Sequence, residues 1–593
     1  MLRFIYGCPG SGKSTFLTNE ITENLRRGKK AILLVPERFA VSSEQRVTAV
    51  GGERNRMNLE VLSFKRLCNR VFREYGGLCY NYAGKGGKTL ILWQAFSEVQ
   101  KDLSVYGRLQ LQDSGTVDAL LEEILTFKRA AISPELLEKA AEQCESRTQL
   151  GKKTGDLAKI YRAYNELLLQ KYDDPEEDLE RLYAVLQTHR FFEDRLVYVD
   201  STAAFSGQEL KILECALAQS PLVSVALGFL PEDDRMIFGK LRWCRDALRQ
   251  AAQRVGTEEG KPVILQTPYG KNEELCLLEQ ALFREEPTVY QGGEAAIHLS
   301  RCRGIYEECK MTAARILRTV QKGGRFSDQG VVMRNPEEYK GILDRVFEAN
   351  GIPYVFTTPV RLSERGAFRA VLYAFRLLVF SFRQEDLLSY LRTGYCGLSD
   401  EEGFFLEDYI NLWQIEGKKR WFGGDFAMNP EGHTAERKDD TAEKLKRIND
   451  CKERLILPLR QLDEDLGACK TVKEGAVALY DYFVGMKLEE QLNREAREAL
   501  SEGDGREAQW LSQTYRELCA LLDELVYTAG DRACSGAELL LMIQILAEKR
   551  TFGSIPEGKD RVLISDTFNL KPSGVSTLYL LGVKEGSFPA YSR

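Results

Sequence analysis

Gly7-Cys-Pro-Gly-Ser-Gly-Lys-Ser14 matches the pattern G-x-x-x-x-G-K-[ST] in full. It follows a predicted strand, Leu2 to Tyr6, and opens a predicted helix that runs from Lys13 to about Arg27. Gly10 and Gly12 allow backbone N–H groups to turn inward around phosphate oxygens. The start of the helix adds a partial positive charge at the same place. The segment therefore predicts a phosphate-binding loop rather than a plain glycine-rich turn.

This loop predicts ATP and Mg²⁺ as ligands, with contacts from Gly7, Cys8, Pro9, Gly10, Ser11, Gly12, Lys13 and Ser14. Lys13 is expected to reach the β- and γ-phosphates, and the Ser14 hydroxyl to ligate Mg²⁺. Asp200 ends an apolar run and is predicted as a second Mg²⁺ ligand, the alternative being a carboxylate that only caps a strand end. Because Ser201 follows it, no carboxylate stands beside Asp200 to orient an attacking water.

Length and composition limit which classes of protein this chain can belong to. The 593 residues are enough for about four globular units. The net charge of -6 excludes a protein that coats nucleic acid by bulk positive charge, but it allows a local basic groove. The 14 cysteines include no CxxC pair, which favours reduced thiols and a cytoplasmic location, and the three histidines are far apart. We expect neither a secretory signal nor a membrane span.

The order of the apolar runs predicts an α/β protein. Ala31 to Val35, Arg195 to Asp200 and Pro221 to Leu227 are typical of central parallel strands. A second α/β pattern follows a predicted linker at 257–295. Its predicted elements are a strand at Ile297 to Ser300, a helix at Glu307 to Gln321, and strands at Gln329 to Arg334, Tyr354 to Phe356, Arg561 to Ser565 and Thr577 to Gly582.

Helical patterns interrupt both α/β regions. The predicted first domain consists of 1–83 and 187–256, with a helical insertion at 84–186. The predicted second domain consists of 296–384 and 550–593, with a helical insertion at 385–549.

Several further segments occur in the order found in one known family. They are Leu33-Leu-Val-Pro-Glu37, Val61-Leu-Ser-Phe-Lys-Arg-Leu67, Tyr198-Val-Asp200 with Phe205-Ser-Gly-Gln-Glu209, Ile297 to Glu308, Val331-Val-Met-Arg334, Asn350-Gly-Ile-Pro-Tyr354 and Leu580-Leu-Gly-Val-Lys-Glu-Gly-Ser-Phe-Pro589. With the N-terminal loop, this ordered set resembles AddB, the B subunit of the AddAB helicase–nuclease (RexB in some bacteria). The resemblance covers essentially the whole chain.

The resemblance implies a superfamily-one helicase-like core of two RecA-like P-loop domains, each with a helical insertion. It implies a non-motor subunit that binds ATP·Mg²⁺ and single-stranded DNA, pairs with an A-type subunit, and acts on double-stranded DNA ends during end resection and homologous recombination. Full-length relatives add a nuclease domain with a four-cysteine 4Fe-4S cluster. We expect that domain to lie beyond Arg593, since no ligands for the cluster are identifiable here.

Compared with active helicases of this superfamily, the chain departs at two places besides Ser201. Gly228-Phe229-Leu230 stands where a polar sensor motif is expected, and only Lys571 of a later motif survives within Asp566 to Gly574. Arg334 matches an arginine that contacts the γ-phosphate, the alternative being a solvated residue at a strand end. The isolated chain is therefore expected to be at most a weak ATPase.

The predicted DNA-binding residues are Arg38, Phe64, Lys65 and Arg66, which follow two predicted strands of the first domain. Phe64 would stack on a base, the alternative being that Phe64 and Leu67 form one apolar helix face. The family reads a Chi-type recombination signal in this region, whereas Glu37-Arg38-Phe39-Ala40 departs from its usual Asp-Gln-x-Thr pattern.

Three other functions remain open at this point. An independently active superfamily-one helicase is disfavoured by Ser201 and by the missing sensor motif. A P-loop kinase is disfavoured because Asp200 lies 187 residues after Lys13. An interaction scaffold with a vestigial loop is disfavoured by the intact Gly10-Ser-Gly-Lys-Ser14.

Overall fold

The computed structural model describes residues 1–51, 58–79, 81–109, 114–130, 132–144, 148–200, 204–266, 272–284, 288–292, 295–356, 360–433, 440–552, 560–566 and 575–588. The chain divides into two compact units. Unit 1 comprises Met1–Tyr82, Glu122–Ala158 and Tyr172–Arg301, and unit 2 comprises Ala83–Leu121, Lys159–Lys171 and Cys302–Arg593.

The elements up to residue 301 alternate between strands and helices, with a run of helices in the middle. In chain order they are β1 Leu2–Gly7, α1 Lys13–Arg26, β2 Lys30–Leu34, α2 Ala40–Gly51, β3 Leu59–Leu62, α3 Phe64–Tyr75, α4 Lys85–Val99, α5 Ser114–Arg129, α6 Pro134–Gln143, α7 Gln149–Lys171, α8 Asp178–Thr188, β4 Arg195–Asp200, α9 Gly207–Gln219, β5 Val223–Leu227, α10 Gly239–Arg254, β6 Val263–Leu265 and α11 Glu273–Ala281.

Unit 1 is built on a parallel sheet with the strand order β3-β2-β4-β5-β1-β6. Side chains alternate between its faces, so Leu2, Phe4 and Tyr6 of β1 enter one core and Ile5 enters the other. Helices α1 and α2 cover the Ile5 side, and α3, α8, α9 and α10 cover the opposite side. Burial on both faces explains why these strands are continuous apolar runs.

The region 257–295, expected to be a linker, contributes to this sheet. Val263 to Leu265 form β6, which pairs in parallel with β1 so that Leu265 lies opposite Gly7. Helix α11 follows. The strand predicted at Ile297 to Ser300 is wrong, because these residues form no strand and are exposed. The two apolar residues of this segment, Ile297 and Leu299, are exposed and pair with no strand of the described residues.

The elements after residue 301 form a smaller parallel sheet whose strands lie before and after a long helical region in the chain. They are α12 Ile305–Gln321, β7 Gln329–Met333, α13 Pro336–Tyr339, α14 Leu343–Ala349, β8 Tyr354–Phe356, β9 Val360–Arg361, α15 Gly366–Val379, α16 Gln384–Leu391, α17 Asp400–Trp413, α18 Lys418–Phe422, α19 Thr441–Ala468, α20 Val472–Gly485, α21 Leu488–Ser501, α22 Gly505–Ala529, α23 Gly536–Lys549, β10 Thr551–Phe552, β11 Val562–Asp566 and β12 Thr577–Leu581. Strands β12, β7, β11 and β8 pair in that order, all parallel.

The helical region predicted at 84–186 is divided between the two units. Its first helix, α4, packs against α22 and α23 inside unit 2. The Gly87 N–H donates to Glu524 Oε1 at 2.9 Å, and Lys549 pairs with Asp118. An ideal Cβ on Gly86 would lie 2.9 Å from Leu546 Cδ2, so the glycine permits this close approach.

Among the helices of the described ranges, none is both long enough and apolar enough to cross a bilayer.

Candidate nucleotide-binding site

The loop after β1 has the backbone geometry that the glycine pattern predicts. Gly10 and Gly12 have φ angles of 81° and 87°, in the left-handed region that L-residues with side chains rarely adopt. Gly12 caps α1 without a side-chain hydrogen bond, and the first turn of α1 contains no acidic residue. The positive end of this helix is therefore not neutralised from within its own first turn, which favours an anion there.

Lys13 lies folded over the loop that it follows. Its Nζ donates to the carbonyl oxygens of Gly7 at 2.6 Å and Cys8 at 2.8 Å. Burial raises the pKa of the Cys8 thiol, so this loop residue favours the neutral thiol form. The two hydrogen bonds from Lys13 hold its ammonium group within the concave loop, where a phosphate group would meet it.

Ser11 provides a buried polar atom inside the same loop. The residue is 8% exposed, and its Oγ has no hydrogen-bond partner among the described residues. A buried hydroxyl without a partner is unfavourable unless a ligand or water satisfies it. The donor set of the loop therefore fits a bound phosphate.

Gly7 is confined on every side. Its N–H donates to the carbonyl of Phe229 at 3.2 Å, and its own carbonyl accepts from Lys13. An ideal Cβ at this position would overlap Ser11 Oγ and would lie 3.0 Å from the carbonyl oxygen of Leu265. Position 7 requires glycine for lack of space rather than for its φ angle.

The sheet register places Asp200, the last residue of β4, level with Ile5 near the carboxyl end of β1. Asp200 pairs with Ala226 of β5, which pairs with Ile5 of β1. Two strand spacings, about 10 Å, therefore separate Asp200 from β1 at the edge where the loop begins. Ser14 lies in the first turn of α1. Ser201 lies outside the described residues, as do residues 567–574, which include Lys571.

Phe229 occupies the place of the polar sensor motif, and its side chain belongs to the core. It is fully buried, contacts Tyr6 edge-on at 5.7 Å between ring centroids, and stacks on Phe238 at 5.8 Å. Only the backbone carbonyl of Phe229 reaches the loop, through Gly7. This position can hold the loop in shape but offers no polar side chain to a ligand.

A cavity of about 400 Å³ adjoins the loop, and sequence reasoning missed it. The loop side is lined by Cys8, Pro9 and Ser11, and the opposite side by residues of α11. Helix α11 was missed because Leu275 and Leu278 point outward, 42% and 45% exposed, and Leu277 alone of its leucines lines the cavity, so no inward stripe marks it.

Arg235 ties two walls of this cavity together. Its side chain is 6% exposed and forms a double ion pair with Asp233, with Nε–Oδ1 at 2.9 Å and Nη2–Oδ2 at 2.6 Å. Its Nη1 donates to the carbonyls of Glu279 at 2.6 Å and Leu282 at 3.1 Å. The hydrogen bond from Arg235 holds the pKa of Asp233 below its usual range. The β5–α10 loop and the end of α11 are thereby joined.

The predicted DNA-binding residues lie at the start of α3. Ser63 caps this helix and accepts from the Arg66 N–H at 3.2 Å, while Arg66 Nε donates to Glu37 Oε1 at 3.0 Å. Lys65 is exposed, and Phe64 is partly buried against Phe205, with 6.5 Å between ring centroids. Phe64 therefore contacts the core, as the alternative interpretation predicted.

The structure says less about the remaining predicted residues. The side chain of Arg38 lies outside the described part of the chain. Glu37 is exposed, and although partial desolvation disfavours its charge, hydrogen bonds from Ser63 and Arg66 outweigh that effect and lower its pKa. Arg334 follows β7 in unit 2 and is exposed.

A second cavity near the end of β4 was also missed. It has a volume of about 660 Å³, and its lining includes Trp243, Phe205, Lys240 and Arg129. Trp243 is 58% exposed. An exposed tryptophan on a helix gives no periodic signal in the sequence, so only its position in the fold reveals it.

Within the described ranges, no three His, Cys, Asp or Glu side chains are grouped so that they could hold a metal ion. The cysteines are free thiols. The described residues therefore do not fit a 4Fe-4S cluster.

Comparison with known proteins identifies relatives over the whole chain. Residues 4–279 match the family model described as ADDB, N-terminal. The chain is similar to a protein of Caldanaerobacter subterraneus subsp. tengcongensis that is named as the B-type subunit of an ATP-dependent helicase/deoxyribonuclease, with 29% identity over 100% of this chain and 52% of that protein. Proteins of the same name from Thermoanaerobacter sp. and Clostridium acetobutylicum are 28% and 26% identical, covering 100% and 99% of this chain and 52% of each relative.

The resemblance to AddB is therefore confirmed: the chain matches the N-terminal part of such subunits. It spans about half the length of the curated relatives it matches.

Gly7→Ala should destabilise unit 1 by about 1–3 kcal/mol, because the added methyl group overlaps Ser11 and approaches the Leu265 backbone. Urea denaturation would measure the free energy of unfolding. Gly207→Ala is the matched control, since an ideal Cβ there has nothing within 4 Å. Equal stability of the Gly7→Ala and Gly207→Ala variants would contradict the packing argument.

Proposed function

We propose that this chain is the N-terminal part of the non-motor B subunit of an ATP-dependent DNA helicase–nuclease, and that it binds ATP·Mg²⁺ at the loop Gly7–Ser14. The observation that carries this proposal is the geometry of the loop. It has two left-handed glycines, the Lys13 ammonium held inside, and the Ser11 hydroxyl, which has no partner in the described part of the chain. The Lys13 ammonium and the Ser11 hydroxyl are hydrogen-bond donors, and the two glycines allow backbone N–H groups to face the same anion.

The proposed Mg²⁺ ligands are the Ser14 hydroxyl and the Asp200 carboxylate. Both are oxygen donors, which Mg²⁺ prefers, and it commonly takes one or two protein ligands with the substrate phosphates. The sheet register supports the assignment, because Asp200 and the loop lie at the same carboxyl edge of the sheet. A bound Mg²⁺ would neutralise phosphate charge at this edge.

The proposed scaffold is a superfamily-one core with two RecA-like domains. Support comes from the parallel sheet in each unit and from the single strand, β5, that separates the loop strand from the Asp200 strand. Ligands of open parallel sheets bind at the carboxyl ends of the strands. We assign Arg334, at the carboxyl end of β7, to the γ-phosphate by family likeness alone.

The proposed DNA contact is the start of α3, with Lys65 and Arg66 on phosphates. Each residue lies where a strand ends and a helix begins, so backbone and side chains can face the same strand of DNA. Phe64 contributes to this region mainly through packing on Phe205.

The relatives are named as a subunit of an ATP-dependent helicase/deoxyribonuclease, which supports a role in such a complex. The rest of the proposal follows from the resemblance to AddB: a cytoplasmic complex with an A-type subunit that acts on double-stranded DNA ends in recombination. Chi-type recognition, the nuclease and the 4Fe-4S cluster are carried over only as features of full-length relatives. An independently active helicase is the second candidate, and the buried Phe229 speaks against it.

Lys13→Ala should weaken ATP·Mg²⁺ binding by about 10- to 100-fold, the range expected for losing one or more charged hydrogen bonds of ~1.5–3 kcal/mol. Calorimetry would measure the dissociation constant. Lys29→Ala, at an exposed lysine just before β2, is the matched control and should bind like the unmodified chain. Equal affinities for all three proteins would reject the site.

ATP turnover by the chain alone should stay slow with single-stranded DNA present. A missing group to orient water commonly costs ~10²-fold or more in rate, and Phe229 offers no polar side chain in compensation. A coupled phosphate-release assay measures this. DNA-stimulated turnover of ~10 per second or more, typical of efficient enzymes, would instead favour the active-helicase alternative.

Single-stranded DNA affinity should fall with salt, and Lys65→Ala or Arg66→Ala should each reduce the slope by ~0.7, the value for one phosphate contact. Arg73→Ala is the matched control, because Arg73 is exposed near the other end of the same helix. Fluorescence anisotropy at several salt concentrations gives the slopes. The interface is wrong if the three variants behave alike.

Phe64→Ala separates packing from stacking in the same region. Loss of its contact with Phe205 should lower the free energy of unfolding by roughly 2 kcal/mol or more, while the salt slope stays unchanged. If affinity drops by ~1–3 kcal/mol with stability intact, Phe64 stacks on a base instead.

A further inference from the structure

Two cysteines that are far apart in the sequence line one cavity of unit 1. Cys8 belongs to the loop after β1 and Cys276 to α11, and both line the cavity of about 400 Å³ beside the loop. Both are half-buried free thiols. No other cysteine lines this cavity or the second cavity near the end of β4. The fold therefore brings this pair, and no other, into a space that a small molecule can enter.

The cavity also contains a buried hydroxyl. Ser11 lines it, is 8% exposed, and its Oγ has no hydrogen-bond partner among the described residues. A volume of about 400 Å³ lies within the ~300–1,000 Å³ that is usual for small-molecule sites. A polar group attached to a thiol of this cavity could satisfy the Ser11 hydroxyl, as a phosphate oxygen would. The two occupants would therefore compete for the same hydroxyl.

The charged side chains of the lining balance one another. Arg235 is paired with Asp233, with Nη2–Oδ2 at 2.6 Å, and Arg284 Nε donates to the carbonyl of Gln280 at 2.7 Å. With Glu279, the lining carries two cationic and two anionic side chains. This balance favours an uncharged occupant over a strongly charged one.

Thiols in such a cavity can exchange with small disulfides. The cysteine thiolate attacks one sulfur of the disulfide, and a new S–S bond forms as the old S–S bond breaks. The departing thiolate takes up the proton that the cysteine released, so the protein thiol is oxidised and the small thiol is reduced. Burial raises the pKa of the Cys8 thiol, so exchange at Cys8 should become faster as the pH rises toward that pKa.

We propose that Cys8 and Cys276 form a thiol-modification site, at which a small uncharged disulfide leaves a mixed disulfide that fills the cavity and closes the loop to phosphate. This inference rests on the proposed nucleotide binding at the loop and adds a means of regulating it. The carbonyl of Cys8 accepts from Lys13 Nζ at 2.8 Å. A group attached to Cys8 therefore lies close to the ammonium that would meet the phosphate.

The test treats the full chain with 2-hydroxyethyl disulfide, which attaches an uncharged group that carries a hydroxyl. After removal of the reagent, calorimetry measures ATP·Mg²⁺ affinity and peptide mass spectrometry locates the adducts. Adducts are expected at Cys8, at Cys276 or at both, with ATP affinity at least about tenfold weaker than before treatment. Reduction with dithiothreitol should restore the affinity.

Each variant is compared with itself before and after treatment, so that a change in its untreated affinity does not enter the comparison. The double variant Cys8→Ser/Cys276→Ser should keep its affinity on treatment. Cys144→Ser is the matched control, because Cys144 is a half-buried thiol at the end of α6 that lines neither cavity. This variant should lose affinity as the unmodified chain does.

A measurement without any variant keeps the test decisive if the double variant misfolds. Bound ATP·Mg²⁺ should slow the formation of the adduct at Cys8 in the unmodified chain and leave the adduct at Cys144 unaffected. Equal rates at Cys8 with and without ATP·Mg²⁺ would contradict competition between the two occupants.

Three further results overturn the proposal. They are adducts at neither cavity cysteine under conditions that modify Cys144, undiminished ATP affinity with adducts at both Cys8 and Cys276, and an equal loss of affinity in the double variant and the unmodified chain. Failure of the proposed function is different. In that case the untreated chain binds no ATP, or Lys13→Ala leaves its affinity unchanged, whichever adducts form.

Discussion

The confinement of Gly7 is the constraint on which the proposed site depends. Its N–H is held by the Phe229 carbonyl, its carbonyl is held by Lys13, and no Cβ fits beside Ser11 and Leu265. These contacts join the ends of β5, β1 and β6 at one point. The loop that follows can only turn over the edge of the sheet, so its N–H groups and the start of α1 face the same space.

Much of unit 1 could be predicted from sequence because its signals are local. The Gly7–Ser14 pattern, the apolar run at Arg195 to Asp200 and the start of α1 need no distant partner to be recognised. Strand β6 and helix α11 could not be found in this way. Three residues give no period, and α11 exposes Leu275 and Leu278, so its place is set by Arg235 and not by a buried stripe.

The division of the helical region has a similar cause. Helix α4 is buried on all sides and shows no amphipathic period to indicate which core it joins. Its partner Glu524 lies 437 residues away along the chain. Chain order suggested an insertion into the first domain, whereas packing assigns α4 to unit 2. Only contacts of such long sequence separation could reveal this.

The start of α3 illustrates how fixed charges limit an interface. Arg66 is paired with the exposed Glu37, and despite some desolvation, hydrogen bonds from Ser63 and Arg66 lower the pKa of Glu37. Because the folded-state pKa lies below the unfolded value, this carboxylate stabilises the fold above its unfolded pKa, and the contribution is lost as pH falls through the folded pKa. At the proposed DNA contact, a phosphate would have to compete with Glu37 for Arg66, whereas exposed Lys65 forms no direct ion pair with any carboxylate of the described residues. Protonation of Glu37 on acidification would therefore release Arg66 to the phosphate.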